Sequence, residues 1–74
     1  MELTPRELDL VRGVVAGKSN KEIGSYLHLS EGTIKEYMSK LFRKLNLDSR
    51  TKIAVWAVKT LGLSLLIVLT IVVQ

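Results

Sequence analysis

Six basic residues fall between Lys35 and Lys52 (Lys35, Lys40, Arg43, Lys44, Arg50 and Lys52), opposed only by Glu36 and Asp48. Through Ser30, by contrast, Arg6, Arg12, Lys18 and Lys21 are cancelled by Glu2, Glu7, Asp9 and Glu22. The net charge of +4 therefore reflects one local excess rather than an evenly basic chain. Such a one-sided patch is the electrostatic footprint of a polyanion binder. The chemistry it offers is donation, and a phosphate contact needs only a donor near the nucleic-acid backbone. Lys21, Lys40, Arg43, Lys44 and Arg50 are candidates for that role, with an intramolecular ion pair as the equal alternative for Arg50. Thr33 adds a hydroxyl near a helix N-terminus, where neighbouring amides also attract an anion.

Other chemistries lack their parts. The chain has one histidine, His28, and no cysteine. It has no glycine-rich loop after a strand and no paired carboxylates with a partner base. Thiolate zinc sites, disulfides and cysteine nucleophiles are excluded. His28 has no second ligand near it and reads as a surface or packing residue. No catalytic residue, metal site, cofactor or small-molecule ligand is expected, and the chain reads as a non-enzyme.

The elements that must position these donors are legible around a turn. Ser19 is a good N-cap, and Glu22 three positions later completes a capping box. The helix from Asn20 to about Leu27 carries Ile23 and Leu27 on one face. Ser30 offers a second N-cap, with Glu31 in the first turn where the helix dipole favours an acid. From there Ile34, Met38, Leu41, Phe42 and Leu45 recur at steps of three and four, one buried stripe. Lys35, Glu36, Ser39, Lys40, Arg43 and Lys44 are left to face solvent. Only His28, Leu29 and Ser30 separate the two helices. The layout is helix, turn, helix, the arrangement that presents a helix to the major groove of DNA.

Two further helices serve as scaffold. Thr4 caps the first, Pro5 takes its first position, Glu7 completes a capping box, and Gly17 stops it. Its apolar face is Leu8, Leu10, Val11, Val14 and Val15. A last helix begins near Asp48 or Ser49 and runs through Ile53, Ala54, Trp56, Ala57 and Val58, apolar on more than one side. At 74 residues this is one small domain, near the lower limit for a core without staples.

The sequence resembles the LuxR-type DNA-binding domain, the output module of many bacterial response regulators and quorum-sensing regulators. The matching motifs are LTPRE at Leu3–Glu7, Gly17, SNKEI at Ser19–Ile23, LSEGTIK at Leu29–Lys35, KL at Lys44–Leu45 and SRT at Ser49–Thr51. The resemblance implies an all-α, compact four-helix domain over residues 1–61, whose third helix reads DNA and whose fourth dimerises. Carried over by position, Lys35, Glu36 and Ser39 stand where that family's recognition helix reaches base edges. Lys35 suits O6 and N7 of guanine, and Glu36 suits N4 of cytosine. Glu36 is equally suited to repelling wrong sites or to pairing with Lys40 at i,i+4. Tyr37 stands where the family commonly has histidine; its hydroxyl can donate to phosphate, or its ring can lie half-buried against Leu41. The dimer surface is expected at Ile53, Trp56 and Ala57. Gly13 and Gly24 depart from the family pattern, which favours an apolar residue and alanine there. Glycine within a helix costs about 1 kcal/mol against alanine, and Gly13 is expected to leave volume unfilled, so a marginal domain is expected.

The tail, residues 62–74, is an apolar extension, and Thr60 to Gln74 holds no charge. It is compatible with an extended dimer or packing surface, with membrane association, or with a β-prone end that lacks gatekeeper charges. Ile53 to Val73 would be long enough to span a bilayer, but its first turns are needed by the domain; the 14 residues from Thr60 to Val73 make about 21 Å of helix against a core of about 30 Å. Every charge precedes the tail, as a cytoplasmic domain with a C-terminal anchor requires. Met1 to Lys18 is charged and amphipathic, unlike a signal peptide, so a bacterial cytoplasmic location is expected. The expected function is transcription regulation by sequence-specific binding of double-stranded DNA as a homodimer. The recognition helix is placed at about 31–45 and the dimer helix at about 49–61. The alternative is a membrane-anchored or protein-interaction module that keeps the fold but meets anionic lipid or an acidic partner.

Overall fold

A computed structural model describes residues 2–62. It contains four helices and, among the described residues, no strand: α1 (Pro5–Val15), α2 (Asn20–Leu27), α3 (Glu31–Leu45) and α4 (Arg50–Leu61). The all-α architecture and all four helices agree with the sequence reading. The apolar tail beyond Gly62, with its three readings, lies outside the described residues. No described helix is long and apolar enough to cross a membrane.

Each helix begins at a hydroxyl residue in extended conformation: Thr4, Ser19, Ser30 and Ser49. In α1 the Glu7 amide donates to Thr4 Oγ1 at 3.1 Å while the Thr4 amide donates to Glu7 Oε1 at 2.8 Å. Ser19 and Glu22 repeat the exchange at 2.9 and 3.1 Å. Removing such a cap costs about 1 kcal/mol, so these two reciprocal pairs fix where α1 and α2 start. Leu8, Leu10, Val11 and Val14 follow the helical period, and the last three are buried. The chain turns after α2 through His28 (φ 60°) and after α3 through Asn46 (φ 55°), both in the left-handed region. Their amides close the helices by donating back to carbonyls in the last turn.

α2 packs mainly on α3, α1 mainly on α4, and contact between α1 and α3 joins the two pairs. The core between them is Leu10, Val11, Val14, Ile23, Ile34, Met38, Leu41, Leu45, Ile53 and Ala57. It is wholly apolar, with no buried polar or charged side chain among the described residues. No desolvated polar group offsets the gain from burial, at about 25 cal/mol per Å² of apolar surface.

Two expectations need correction here. Gly13 does not leave a void: a Cβ built on it would lie 2.7 Å from both Cγ1 and Cδ1 of Ile23. The missing side chain is the space that Ile23 of α2 occupies against α1. Gly24 is likewise a close approach, since its Cβ would lie 2.5 Å from the Leu29 carbonyl oxygen, while the Leu29 amide donates to the Gly24 carbonyl at 2.8 Å. The second correction concerns α4. Ile53 and Ala57, expected at a dimer surface, are both 0% exposed within the single chain. They face α1 because helical spacing puts i and i+4 on one side, and that side is already used by the core. Among the described side chains of α4, Val55 and Val58 are exposed large apolar residues, at 48% and 44%, and Trp56 is half-buried against the core.

Candidate nucleic-acid interface

The buried stripe of α3, Ile34, Met38, Leu41 and Leu45, fixes what its opposite face shows. Lys35, Glu36, Ser39, Lys40 and Arg43 are all exposed there. Residues three and four apart are neighbours on a helix, so Lys35, Glu36, Ser39 and Lys40 form one contiguous patch over the first turns of α3. The Ser39 hydroxyl donates to the Lys35 carbonyl at 3.1 Å. Glu36 makes no ion pair with Lys40, which corrects the i,i+4 pairing considered above: among the described residues only Lys44–Glu7 and Lys52–Asp48 are paired.

The phosphate candidates fall into two sets. Lys40 and Arg43 on α3, with Lys21 on α2, are exposed and have no carboxylate partner among the described residues. Lys21 lies in the first turn of α2, where the helix dipole disfavours a cation by a few tenths of a kcal/mol. Thr33 accepts a hydrogen bond from the Ser30 hydroxyl at 2.8 Å, and its amide donates to Ser30 Oγ at 3.0 Å. Tyr37 is half-buried and packs against the core.

Lys44 and Arg50 are engaged inside the domain instead. Lys44 Nζ lies 2.7 Å from Glu7 Oε1, the same oxygen that accepts the Thr4 amide. The Glu7 carboxyl is held below its ordinary value, first by the Lys44 hydrogen bond and then by the Thr4 amide. Arg50 Nη1 donates to Asn20 Oδ1 at 2.6 Å, and Nη2 donates to the Lys18 carbonyl. These are neutral acceptors, so Arg50 stays uncompensated in charge but fixed in place. It ties the start of α4 to the start of α2 and forms no ion pair among the described residues. Lys44 is not the free donor that the sequence suggested, and Arg50 follows its intramolecular alternative, with neutral acceptors in place of an ion pair. Glu7 and Asn20 sit 37 and 30 positions away from their partners, and nothing local to the sequence announces either contact.

Elsewhere the carboxylates serve structure. Glu22 is lowered by the amide and hydroxyl of Ser19, and Asp48 by the Lys52 ammonium 2.7 Å away. No group of three or more His, Cys, Asp or Glu able to hold a metal occurs among the described residues. What this surface offers is two capped helices, the second carrying cations outward and its apolar stripe inward.

The family described as bacterial regulatory proteins, luxR family, matches residues 1–57. The chain belongs to the luxR family. Its similarity extends to the uncharacterized transcriptional regulatory protein YhcZ of Bacillus subtilis, 47% identical over 58 residues, covering 78% of this chain and 27% of that protein. The nitrate/nitrite response regulator protein NarP of Escherichia coli is 50% identical over 48 residues, covering 65% of this chain and 22% of NarP. NarL of the same organism is 38% identical over 55 residues, 74% and 26% of the two chains. The chain thus spans about a quarter of the length of the curated relatives it matches. No solved structure matches it. The luxR family consists of DNA-binding transcription regulators rather than enzymes, in agreement with the sequence reading.

Proposed function

We propose that this chain is the sequence-specific DNA-binding part of a bacterial transcription regulator acting in the cytoplasm. α3 enters the major groove of double-stranded DNA, Lys35, Glu36 and Ser39 face base edges, and Lys21, Thr33, Lys40 and Arg43 hold phosphates. Tyr37 contributes at most its hydroxyl, because its ring serves the core. The observation that carries the reading is the outer face of α3: exposed cations with no ion-pair partner among the described residues, on a helix whose opposite side is locked into the core. Such cations supply salt-dependent affinity, and the side chains between them supply base choice.

The active unit is a homodimer formed through the exposed side of α4 around Val55 and Val58, with the half-buried Trp56 beside it. Two copies related by a two-fold axis place their α3 helices in successive major grooves about 34 Å apart. The test is selection from a random-sequence duplex library. Enrichment of a short two-fold motif supports the proposal. Binding to anionic vesicles without any enrichment supports the interaction-module alternative instead.

A further inference from the structure

Resting on that reading of α3, we infer that Glu36 and Ser39 form an acceptor-only pair that demands an amino base, adenine or cytosine, on the DNA strand they approach. Two observations carry this. The Ser39 hydroxyl gives its one proton to the Lys35 carbonyl at 3.1 Å, so only its lone pairs face outward. Glu36 is exposed and has no cation partner among the described residues, so its carboxylate also presents acceptors only. The two lie i and i+3 on one face. Lys35 precedes Ser39 by four residues and Lys40 follows Glu36 by four, so a lysine flanks the Glu36–Ser39 pair on either side, Lys35 towards the start of α3 and Lys40 towards its end. The patch therefore reads donor, acceptor, acceptor, donor.

Major-groove edges supply the complement. Adenine N6 and cytosine N4 donate, whereas guanine O6 and N7 and thymine O4 accept. Every base pair carries one exocyclic amine in this groove, so the preference concerns which strand bears it. At the Glu36–Ser39 position a guanine or thymine on the approached strand sets oxygen against a desolvated carboxylate, which is penalised more heavily than a merely missing contact. The base beneath Lys35 is a keto base, guanine above all for its paired O6 and N7.

The experiment selects binding sites with the full chain and with its Glu36→Gln and Ser39→Ala variants. The motif position that relaxes in both variants marks the pair's base. Because both residues are exposed, helicity by circular dichroism is expected to be unchanged. The wild-type motif is expected to fix one base pair there, whose single major-groove amine is the group the pair accepts from. Deleting only the amine, with purine for adenine or pyrimidin-2-one for cytosine, should weaken wild-type binding on the order of tenfold and Glu36→Gln binding far less. Relaxation at different motif positions in the two variants overturns the acceptor pair and leaves sequence-specific binding standing. An amine deletion without effect on the wild type does the same. Failure of any motif to enrich overturns both.

Discussion

Lys44 and Glu7 meet at 2.7 Å across 37 residues of sequence, joining the last turn of α3 to the first turn of α1. One carboxylate oxygen serves two purposes, since Glu7 Oε1 also accepts the amide of Thr4. The end of α3 is thereby registered against the cap of α1. A lysine whose position and charge suit phosphate is spent on placing the helix that carries the other lysines.

Lys44→Met, which keeps the stem and removes the charge, should leave the salt dependence of DNA binding almost unchanged. Arg43→Ala should reduce the slope of log K against log salt by about one, as loss of a phosphate contact does. Anisotropy titrations at several salt concentrations check both. A slope reduced by about one in Lys44→Met would show that the pair opens on DNA.

The same pair makes a pH prediction. The Glu7 carboxyl is depressed below its reference value of 4.5, so its contribution to stability is complete above that pH and is lost as pH falls through the lower folded value. Glu7→Gln retains an acceptor for the Thr4 amide but no charge. It should lower stability at pH 7 by no more than about 1 kcal/mol and flatten the acid side of the Tm profile below pH 4.5. An unchanged acid limb would remove Glu7 from the account of acid stability.

Gly13→Ala should fail to give the roughly 1 kcal/mol expected from helix propensity, because its Cβ would sit 2.7 Å from Ile23. We expect a neutral to destabilising change in urea melts. Combining it with Ile23→Val, which removes the Cδ1 contact, should cost less than the sum of the two single changes, the sign of a direct steric coupling. Additive costs would mean that the helices do not press together there.

His28 adopts φ 60° as the cap of α2, a conformation that costs a side chain other than glycine about 1 kcal/mol or more. His28→Gly should raise Tm, with DNA affinity unchanged. A loss of affinity at equal stability would give the imidazole a part in binding.

Local grammar made most of this fold readable. Hydroxyl caps with glutamate three residues on, and apolar residues at steps of three and four, are properties of neighbouring residues, and they placed α1, α2 and α3 closely. α4 was harder. Its apolar residues occupy several sides, so Ile53 and Ala57 could not be assigned to core or partner until α1 was seen to cover them. The glycines misled for a related reason, since only a second helix reveals whether a missing side chain is a hole or a contact. Among the basic residues, periodicity identified the outer face of α3. The withdrawal of Lys44 on α3 and of Arg50 on α4 from the set of free donors depends on Glu7 and Asn20, which only the tertiary fold brings near.

The assignment of Val55 and Val58 as the dimer face makes its own prediction. Val58→Glu should lower self-association in sedimentation experiments without unfolding the chain, whereas Ala57→Leu should destabilise the fold itself by about 1–3 kcal/mol through overpacking. Unaltered association in Val58→Glu would move the dimer surface elsewhere.

The most direct test of DNA reading by α3 is the affinity of Lys35→Ala for the selected duplex and for a scrambled duplex at one salt concentration. Lys35 is predicted to read a base, so the variant should lose about 1–3 kcal/mol on the selected site and far less on the scrambled one. An equal loss on both would make Lys35 one more phosphate contact and would contradict the assignment of this face of α3 as the reader.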